Sequence, residues 1–222
     1  ITYVLKLKNN SKISKFVTNN KKSIAVRFPK HKLLRNLLKN LDYPVAAPSA
    51  NISSRLSSVK PSDVKEEFGS KIKYILNGGK SKIGVESTIL NLLEKPSLLR
   101  YGGLDTKKIE NVLKKKLLIN TNSKKKLSGL FPLHYSPGIP LRVNVKKPKK
   151  DEAYLLIKKI KSKLKNYYYL YKMKNIDEAA KNLYSTLRKI KNDGFKKIAV
   201  EKIPNKGLGK TINDRLKRAS KY

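Results

Sequence analysis

Residues Pro44 to Asn51 read Pro-Val-Ala-Ala-Pro-Ser-Ala-Asn. A short apolar run, Val45 to Ala47, precedes Pro48, which has no amide hydrogen to donate to a sheet. The pattern predicts a buried strand that ends in a ligand-facing loop, where Ser49 and Asn51 offer a hydroxyl and an amide. The small alanines would let a planar or phosphorylated ligand approach the backbone. An ordinary strand followed by an Asx or Ser turn is the alternative interpretation.

The residues around this stretch predict an α/β chain. Ser23 to Phe28 alternates like a strand and is stopped by Pro29, and leucines recur at helical spacing from His31 to Leu41, which predicts an amphipathic helix able to cover a sheet. The same periodicities predict further elements: strands over 1–8, 72–76, 85–93, 97–100, 167–171 and 198–203, helices over 61–68, 105–116, 177–192 and from about 210, and either a helix or a strand and helix over 152–164.

Composition narrows the possible chemistry. The 222 residues include no cysteine and two histidines, which excludes disulfides, thiolate catalysis and cysteine-bound zinc and disfavours a histidine metal cluster. No apolar run is long enough to predict a membrane span. The net charge of +38 suggests nucleic-acid binding. Because lysines are spread along the whole chain rather than clustered with arginines and aromatic residues, we expect only weak, salt-sensitive RNA affinity.

Several single residues allow both a functional and an ordinary structural interpretation. Arg27, at the end of a strand, can grip a carboxylate or phosphate or can form a surface salt bridge. Glu86 and Thr88 could help to hold a metal, although pairing of Glu86 with a lysine is favoured. His31 is best explained as a solvated residue at a helix start. Gly207 to Gly209 lacks a complete phosphate-loop pattern, so a turn and helix start are favoured.

Separate blocks of the sequence resemble one family in order and approximate spacing. Together they resemble the YrdC-like family of threonylcarbamoyl-AMP synthases, in its long, two-domain form. The blocks are Ser23–Pro29, Pro44–Asn51, Gly84–Ile89, Leu98–Gly103, Leu133–Pro137, Gly207–Gly209 and Ile212–Leu216.

The resemblance implies a domain organisation. It implies an α/β fold in which residues 1–116 form part of a YrdC-like twisted mixed sheet with helices, and residues 151–222 form a small Rossmann-like accessory domain. Residues 117–150 would be a linker that folds back over the active site like a lid. In the family, a strand like residues 1–8 follows a segment with a Lys-x-Arg motif and further substrate contacts, so the chain is expected to be N-terminally incomplete.

The resemblance also implies a reaction and a set of contacts. The family makes threonylcarbamoyl-AMP and pyrophosphate from ATP, L-threonine and bicarbonate, and no residue of this chain is assigned as a nucleophile, general acid, general base or metal ligand. Two residues match threonine contacts, and seven match nucleotide contacts. The first set is Arg27 and Ser87, and the second is Ser23, Ala47, Ser49, Asn51, Arg100, His134 and Tyr135.

Cofactor, partners and location follow from the same resemblance. Mg²⁺ is expected to accompany ATP, and the product is expected to pass, in the cytoplasm, to a tRNA threonylcarbamoyl transferase that modifies adenosine in tRNA. Two other functions stay open. A protein that binds double-stranded RNA or tRNA without catalysis would suit the positive charge. A carbamoyl-adenylating module of hydrogenase maturation shares the motif core, but it carries cysteine-rich zinc modules that this chain lacks.

Overall fold

The computed structural model describes residues 1–121, 134–173 and 175–221. The chain divides into two compact units, and each unit is assembled from two separate stretches of sequence. The first comprises Ile1–Pro48 and Ser87–Lys125, and the second comprises Ser49–Glu86 and Lys126–Tyr222. Residues 122–133 of the predicted linker lie outside the described residues. The predicted domain limits at residues 116 and 150 stay a prediction.

Nine strands and six α-helices are formed by the described residues. In chain order they are β1 (Thr2–Lys6), α1 (Lys15–Thr18), β2 (Ser23–Val26), α2 (Lys32–Lys39), α3 (Pro61–Phe68), β3 (Ile89–Asn91), β4 (Ser97–Arg100), α4 (Thr106–Leu113), β5 (Leu118–Ile119), β6 (Leu141–Arg142), β7 (Ala153–Lys158), β8 (Tyr167–Tyr171), α5 (Ile176–Asn192), β9 (Ile198–Val200) and α6 (Gly209–Ala219).

The first unit is built on a mixed sheet with the strand order β2-β1-β3-β4-β5. Strand β1 pairs antiparallel with β2 and parallel with β3, while β4 pairs antiparallel with β3 and parallel with β5. Apolar side chains of the sheet and of α4 share one core, formed around the buried residues Leu90, Leu98, Ile109 and Leu117. The mixed sheet predicted for this part of the chain is confirmed.

The second unit contains a four-stranded sheet with the order β6-β9-β7-β8, in which all pairs are parallel. Helices α5 and α6 contribute fully buried residues to its main core, Leu183 and Leu187 from α5 and Ile212 from α6. These apolar residues recur at spacings of three and four, as an amphipathic helix requires. The expectation of an α/β domain in the C-terminal part of the chain is confirmed.

Two predicted strands are absent, and two others are much shorter than predicted. Residues 44–47 form irregular chain with Val45 53% exposed, and residues 72–76 are also irregular, with Tyr74 89% exposed. The strands predicted over 85–93 and 198–203 are reduced to β3 and β9. A strand needs a neighbour that accepts its backbone hydrogen bonds, and a short apolar run cannot show whether the fold supplies one.

Most of the predicted helices form, but one of them packs differently from the prediction. Helices α3, α4, α5 and α6 all form at the predicted places, while residues 152–164 contain only β7 and no helix. Helix α2 also forms, but no residue of α2 is buried, and Leu37 is 48% exposed. The expected cover of a sheet by the leucines of α2 is therefore not seen in the described part of the chain.

Candidate substrate-binding site

In the first unit, the side chain of Arg100 forms several hydrogen bonds with Ser87. The guanidinium is buried at the end of β4 and donates to the Ser87 carbonyl from Nε at 3.1 Å and from Nη2 at 2.8 Å. Nη2 also donates to the Ser87 hydroxyl oxygen at 3.2 Å. The Ser87 hydroxyl lies 2.7 Å from the hydroxyl of Thr2. Ser87 is thus held through both its backbone and its side chain.

The neighbouring Thr88 has a structural role. It is fully buried, and its hydroxyl donates to the Leu104 carbonyl at 2.8 Å and accepts from the Leu104 amide at 3.1 Å. Its carbonyl accepts from the Thr2 amide at 2.8 Å, next to the parallel pairing of β1 with β3. These bonds fix the backbone on which Ser87 sits.

The register of the sheet separates Ser23, the first residue of β2, from Arg27, which directly follows β2. Tyr3 pairs with Val26, so Arg27 lies just beyond that pair, on the side of Thr2. Ser23 pairs with Lys6, at the opposite end of the hairpin, about 13 Å away along the strand. Arg27, Ser87 and Arg100 therefore cluster at one end of the first unit, and Ser23 lies at the other.

The register of the neighbouring strands gives the same grouping. Arg100 pairs with Ile89, and Ile89 pairs with Thr2, so the guanidiniums of Arg27 and Arg100 lie at the end of the sheet where Thr2 meets Ser87. Two cations and two hydroxyls at one end of a sheet can bind a small anionic ligand such as a carboxylate.

Residues Pro44 to Asn51 are divided between the two units. Ala47 belongs to the first unit and is exposed, whereas Ser49 and Asn51 belong to the second. Asn51 is buried, and its Nδ2 donates to the carbonyls of Ile52 at 2.8 Å and Arg55 at 3.3 Å. Its Oδ1 is buried without a hydrogen-bond partner among the described residues. Asn51 thus folds its own loop and keeps one acceptor for a ligand.

His134 and Tyr135 are buried in the second unit, although they fall in the predicted linker. Their ring centroids are 4.0 Å apart. Tyr135 has φ of +64°, a left-handed conformation that is uncommon for a bulky residue. Its ring stacks on Tyr184 at 5.7 Å, and the guanidinium carbon of Arg215 lies 4.7 Å from its ring centroid.

Glu86 accepts hydrogen bonds from three other parts of the second unit. The Ser57 hydroxyl donates to Oε1 at 2.5 Å, the Tyr184 hydroxyl lies 3.1 Å from both oxygens, and Nε of Arg215 lies 2.9 Å from Oε2. Burial, followed by the charge of Glu86, raises the pKa of Tyr184 well above its ordinary value, so the phenol keeps its proton. Among the described residues, the cation that pairs with Glu86 is Arg215, and the predicted pairing of Glu86 with a lysine stays a prediction.

The other sequence candidates have structural explanations. His31 is exposed and precedes α2 as its N-cap residue. Gly207 to Gly209 leads into α6, and a Cβ atom on Gly209 would lie 1.9 Å from the Pro204 carbonyl oxygen. The favoured interpretation, a turn and helix start, is confirmed. No group of three or more histidine, cysteine or acidic side chains that could hold a metal occurs among the described residues.

Sequence reasoning missed Thr2, Ser57, Tyr184 and Arg215. Arg215 lies inside the block Ile212–Leu216 that carried the family resemblance, so a signal was present, but without the tertiary structure nothing linked it to Glu86. Thr2 and Tyr184 had no signal, because one begins a strand and the other lies on the apolar face of α5.

These features define a class of two-domain α/β proteins. One domain has a mixed sheet with an Arg–Ser–Thr cluster at one end, and the other has a parallel sheet. A sequence profile described as "Telomere recombination" matches residues 1–102, and one described as "Threonylcarbamoyl-AMP synthase, C-terminal domain" matches residues 104–221. The chain belongs to the threonylcarbamoyl-AMP synthase family.

Individual relatives agree with this assignment. The chain is 32% identical to threonylcarbamoyl-AMP synthase of Pyrococcus abyssi, covering 98% of this chain and 70% of the relative. It is 30% identical to the Bacillus subtilis protein of the same name, covering 99% and 69%. Among solved structures, P. abyssi Sua5 complexed with L-threonine superposes with a TM-score of 0.86 at 31% identity, covering 100% of this chain and 70% of that one.

A second solved structure is a P. abyssi Sua5 variant in which a histidine and the adjacent tyrosine are both replaced by alanine. It superposes with a TM-score of 0.82 at 31% identity and covers 100% of this chain and 69% of that one.

Within the described residues, no helix combines the length and the apolar character needed to cross a membrane.

Proposed function

We propose that the protein is an L-threonylcarbamoyladenylate synthase, which converts ATP, L-threonine and bicarbonate to threonylcarbamoyl-AMP and pyrophosphate. The observation that carries the proposal is the cluster of Arg27, Ser87 and Arg100, in a chain that superposes over its whole length on a relative solved with L-threonine. The cluster offers the guanidinium and hydroxyl donors that an amino-acid carboxylate needs.

Within this proposal, Arg27 and Ser87 bind threonine. Arg27 is exposed and lies beside the start of β1, so its guanidinium can grip the carboxylate of a ligand from solvent. Ser87 presents its hydroxyl where Arg100 and Thr2 hold it. Arg100 acts here mainly by positioning Ser87, and its expected contact with ATP stays a prediction.

Nucleotide binding is assigned to Ser49, Asn51, His134 and Tyr135. The buried Oδ1 of Asn51 can accept a hydrogen bond from a base or ribose. This chain has a single His-Tyr dipeptide, His134–Tyr135, and the double-alanine variant of P. abyssi Sua5 changes such a pair. Ser23 and Ala47 complete the proposed set by resemblance alone.

The proposed chemistry needs no protein nucleophile. The threonine amine attacks bicarbonate to give a carbamate with loss of water. A carbamate oxygen then attacks the α-phosphorus of ATP, the bond from that phosphorus to the bridging oxygen breaks, and pyrophosphate leaves with the electron pair. The protein contributes by holding the reactants close together and by donating hydrogen bonds to the developing negative charge.

Mg²⁺ is proposed as a companion of ATP rather than a resident metal. Glu86 is engaged by Ser57, Tyr184 and Arg215, and the described residues hold no cluster of metal-binding side chains. These residues do not form a protein-held magnesium site. We therefore assign Mg²⁺ to the triphosphate, where it would shield negative charge.

The test is pyrophosphate release by the full-length protein, with ATP, threonine and bicarbonate each omitted in turn. We expect release only when all three are present. Arg27→Ala should weaken threonine binding about tenfold to a hundredfold, since a hydrogen bond to a charged group is lost, and Ser49→Ala should weaken ATP binding. Arg35→Ala, which removes an exposed arginine of α2, is the matched control.

The same experiment tests the alternative function, which is RNA binding without catalysis. Pyrophosphate release that ignores threonine, together with tight binding of tRNA or double-stranded RNA, would overturn the synthase proposal. If the proposal holds, the product is a reactive mixed anhydride. A cytoplasmic transferase that passes the threonylcarbamoyl group to tRNA is then the proposed consumer, and any direct tRNA contact should be weak and salt-sensitive.

A further inference from the structure

A polar cluster inside the second unit joins three of the family blocks. It consists of Ser57, Glu86, Tyr135, Tyr184 and Arg215, and we call it the Glu86 cluster. Glu86 comes from the block Gly84–Ile89, Tyr135 from Leu133–Pro137 and Arg215 from Ile212–Leu216 in α6, whereas Tyr184 belongs to α5. The proposed function uses Tyr135 only and leaves the other members of the cluster unexplained.

The segment that ends in Glu86 packs directly on α5. Gly84 has φ of +81°, and a Cβ atom there would lie 2.3 Å from the Lys181 carbonyl oxygen. Only glycine allows the backbone to come so close. This close approach places Glu86 within hydrogen-bond distance of Tyr184, one helical turn further along α5.

Glu86 in turn fixes Arg215. The guanidinium of Arg215 is 1% exposed, donates to Glu86 from Nε at 2.9 Å and is also paired with Asp214 through Nη1. Because Ser57 and Tyr184 hold the Glu86 carboxylate, the plane of the guanidinium is held from one side. A planar, delocalised cation held in this way is suited to pack on an aromatic ring.

That ring belongs to Tyr135. Its centroid is 4.7 Å from the guanidinium carbon of Arg215 and 5.7 Å from the Tyr184 ring, to which it is inclined by 18°. The left-handed backbone of Tyr135 is a conformation that persists only when the surroundings over-determine it. Arg215 and Tyr184 supply such surroundings.

Stability alone does not account for a fully buried arginine paired with a glutamate whose side chain is only 17% exposed. Burying such a pair costs desolvation energy, and apolar residues of similar volume often stabilise a protein as well or better. What the pair can add is a defined arrangement of the side chains around it. In the Glu86 cluster, the arrangement gained is the position of Tyr135, next to His134.

We propose that Arg215 is a positioning residue that holds Tyr135, and with it His134, in the conformation that binds the nucleotide. The C-terminal helices would then support the ATP site through the Glu86 cluster without touching ATP. This inference rests on the proposed function, since it takes His134 and Tyr135 as nucleotide contacts.

Two conservative variants test it. Arg215→Lys keeps a positive charge near Glu86 but removes the planar group from the Tyr135 ring, and Tyr184→Phe keeps the ring but removes its bond to Glu86. The affinities for ATP and for threonine are measured by isothermal titration calorimetry, alongside KM for each. We expect Arg215→Lys to weaken ATP binding about tenfold, with threonine affinity changed less than twofold and Tyr184→Phe intermediate. Lys217→Ala, at an exposed position of α6, is the control.

A double variant asks whether Arg215 acts through Tyr135. If it does, Arg215→Lys combined with Tyr135→Leu should weaken ATP binding no more than Tyr135→Leu alone. Independent, multiplying effects would overturn the inference, as would unchanged ATP affinity in Arg215→Lys or an equal loss of affinity for both substrates. Chemical denaturation of each variant separates these results from unfolding.

A spectroscopic measurement tests the positioning role of Arg215 independently of whether the protein is a synthase. In protein labelled with fluorotyrosine, the resonance that disappears in Tyr135→Phe belongs to Tyr135, and we expect Arg215→Lys to shift it. An unshifted resonance would overturn the positioning role. A wild-type protein without threonine-dependent pyrophosphate release would instead overturn the proposed function, while the ATP affinities would still decide the role of Arg215.

Discussion

Replacing Arg100 by lysine should weaken threonine binding much more than ATP binding. Three hydrogen bonds join the guanidinium to Ser87, at 2.8, 3.1 and 3.2 Å. A single lysine amine cannot reproduce the fork that reaches both the carbonyl and the hydroxyl, so about two of the three bonds are lost. At about 1.5 kcal/mol for each bond from a charged group, the loss is about 3 kcal/mol. If all of it falls on the threonine-bound state, threonine affinity drops about a hundredfold.

The assay is the threonine dependence of pyrophosphate release at saturating ATP, with calorimetric threonine binding as a second readout. Arg35→Lys is the matched control, because it makes the same replacement at an exposed position of α2. Thermal unfolding of each variant checks that the first unit stays folded. A rise in KM for ATP with KM for threonine unchanged would refute the reasoning and would favour a direct contact between Arg100 and ATP.

Two further outcomes concern stability. Leu183→Ala removes a fully buried side chain of the second core and should lower the free energy of unfolding by about 2 to 5 kcal/mol, measured by urea denaturation, whereas the same change at the 58% exposed Leu164 should have little effect. The hydrogen bond from Arg142 lowers the pKa of Glu152 below its usual value near 4.5, so its contribution to stability is present above that pH and is lost as pH falls through the lowered value. Urea midpoints from about pH 7 down to about pH 3 should therefore fall less steeply for Glu152→Gln than for the wild type, and parallel curves would contradict the assignment.

The sequence determined the elements whose evidence is local. The leucine and alanine spacing in 177–192 predicted α5, and the structure begins that helix one residue earlier, at Ile176. The family blocks predicted the mixed sheet, the C-terminal α/β domain and the family itself. Such features depend on the order of residues within one segment, and periodicity records that order directly.

Tertiary structure alone decided which segments become strands and which side chains meet. The run Val45 to Ala47 has strand-like residues but no strand partner among the described residues, and it lies exposed in irregular chain. Arg215 meets Glu86 across 129 positions of sequence, and the ring of Tyr135 meets both α5 and α6. These contacts exist because the fold brings distant segments together, and the pattern within any one segment contains no information about its partner.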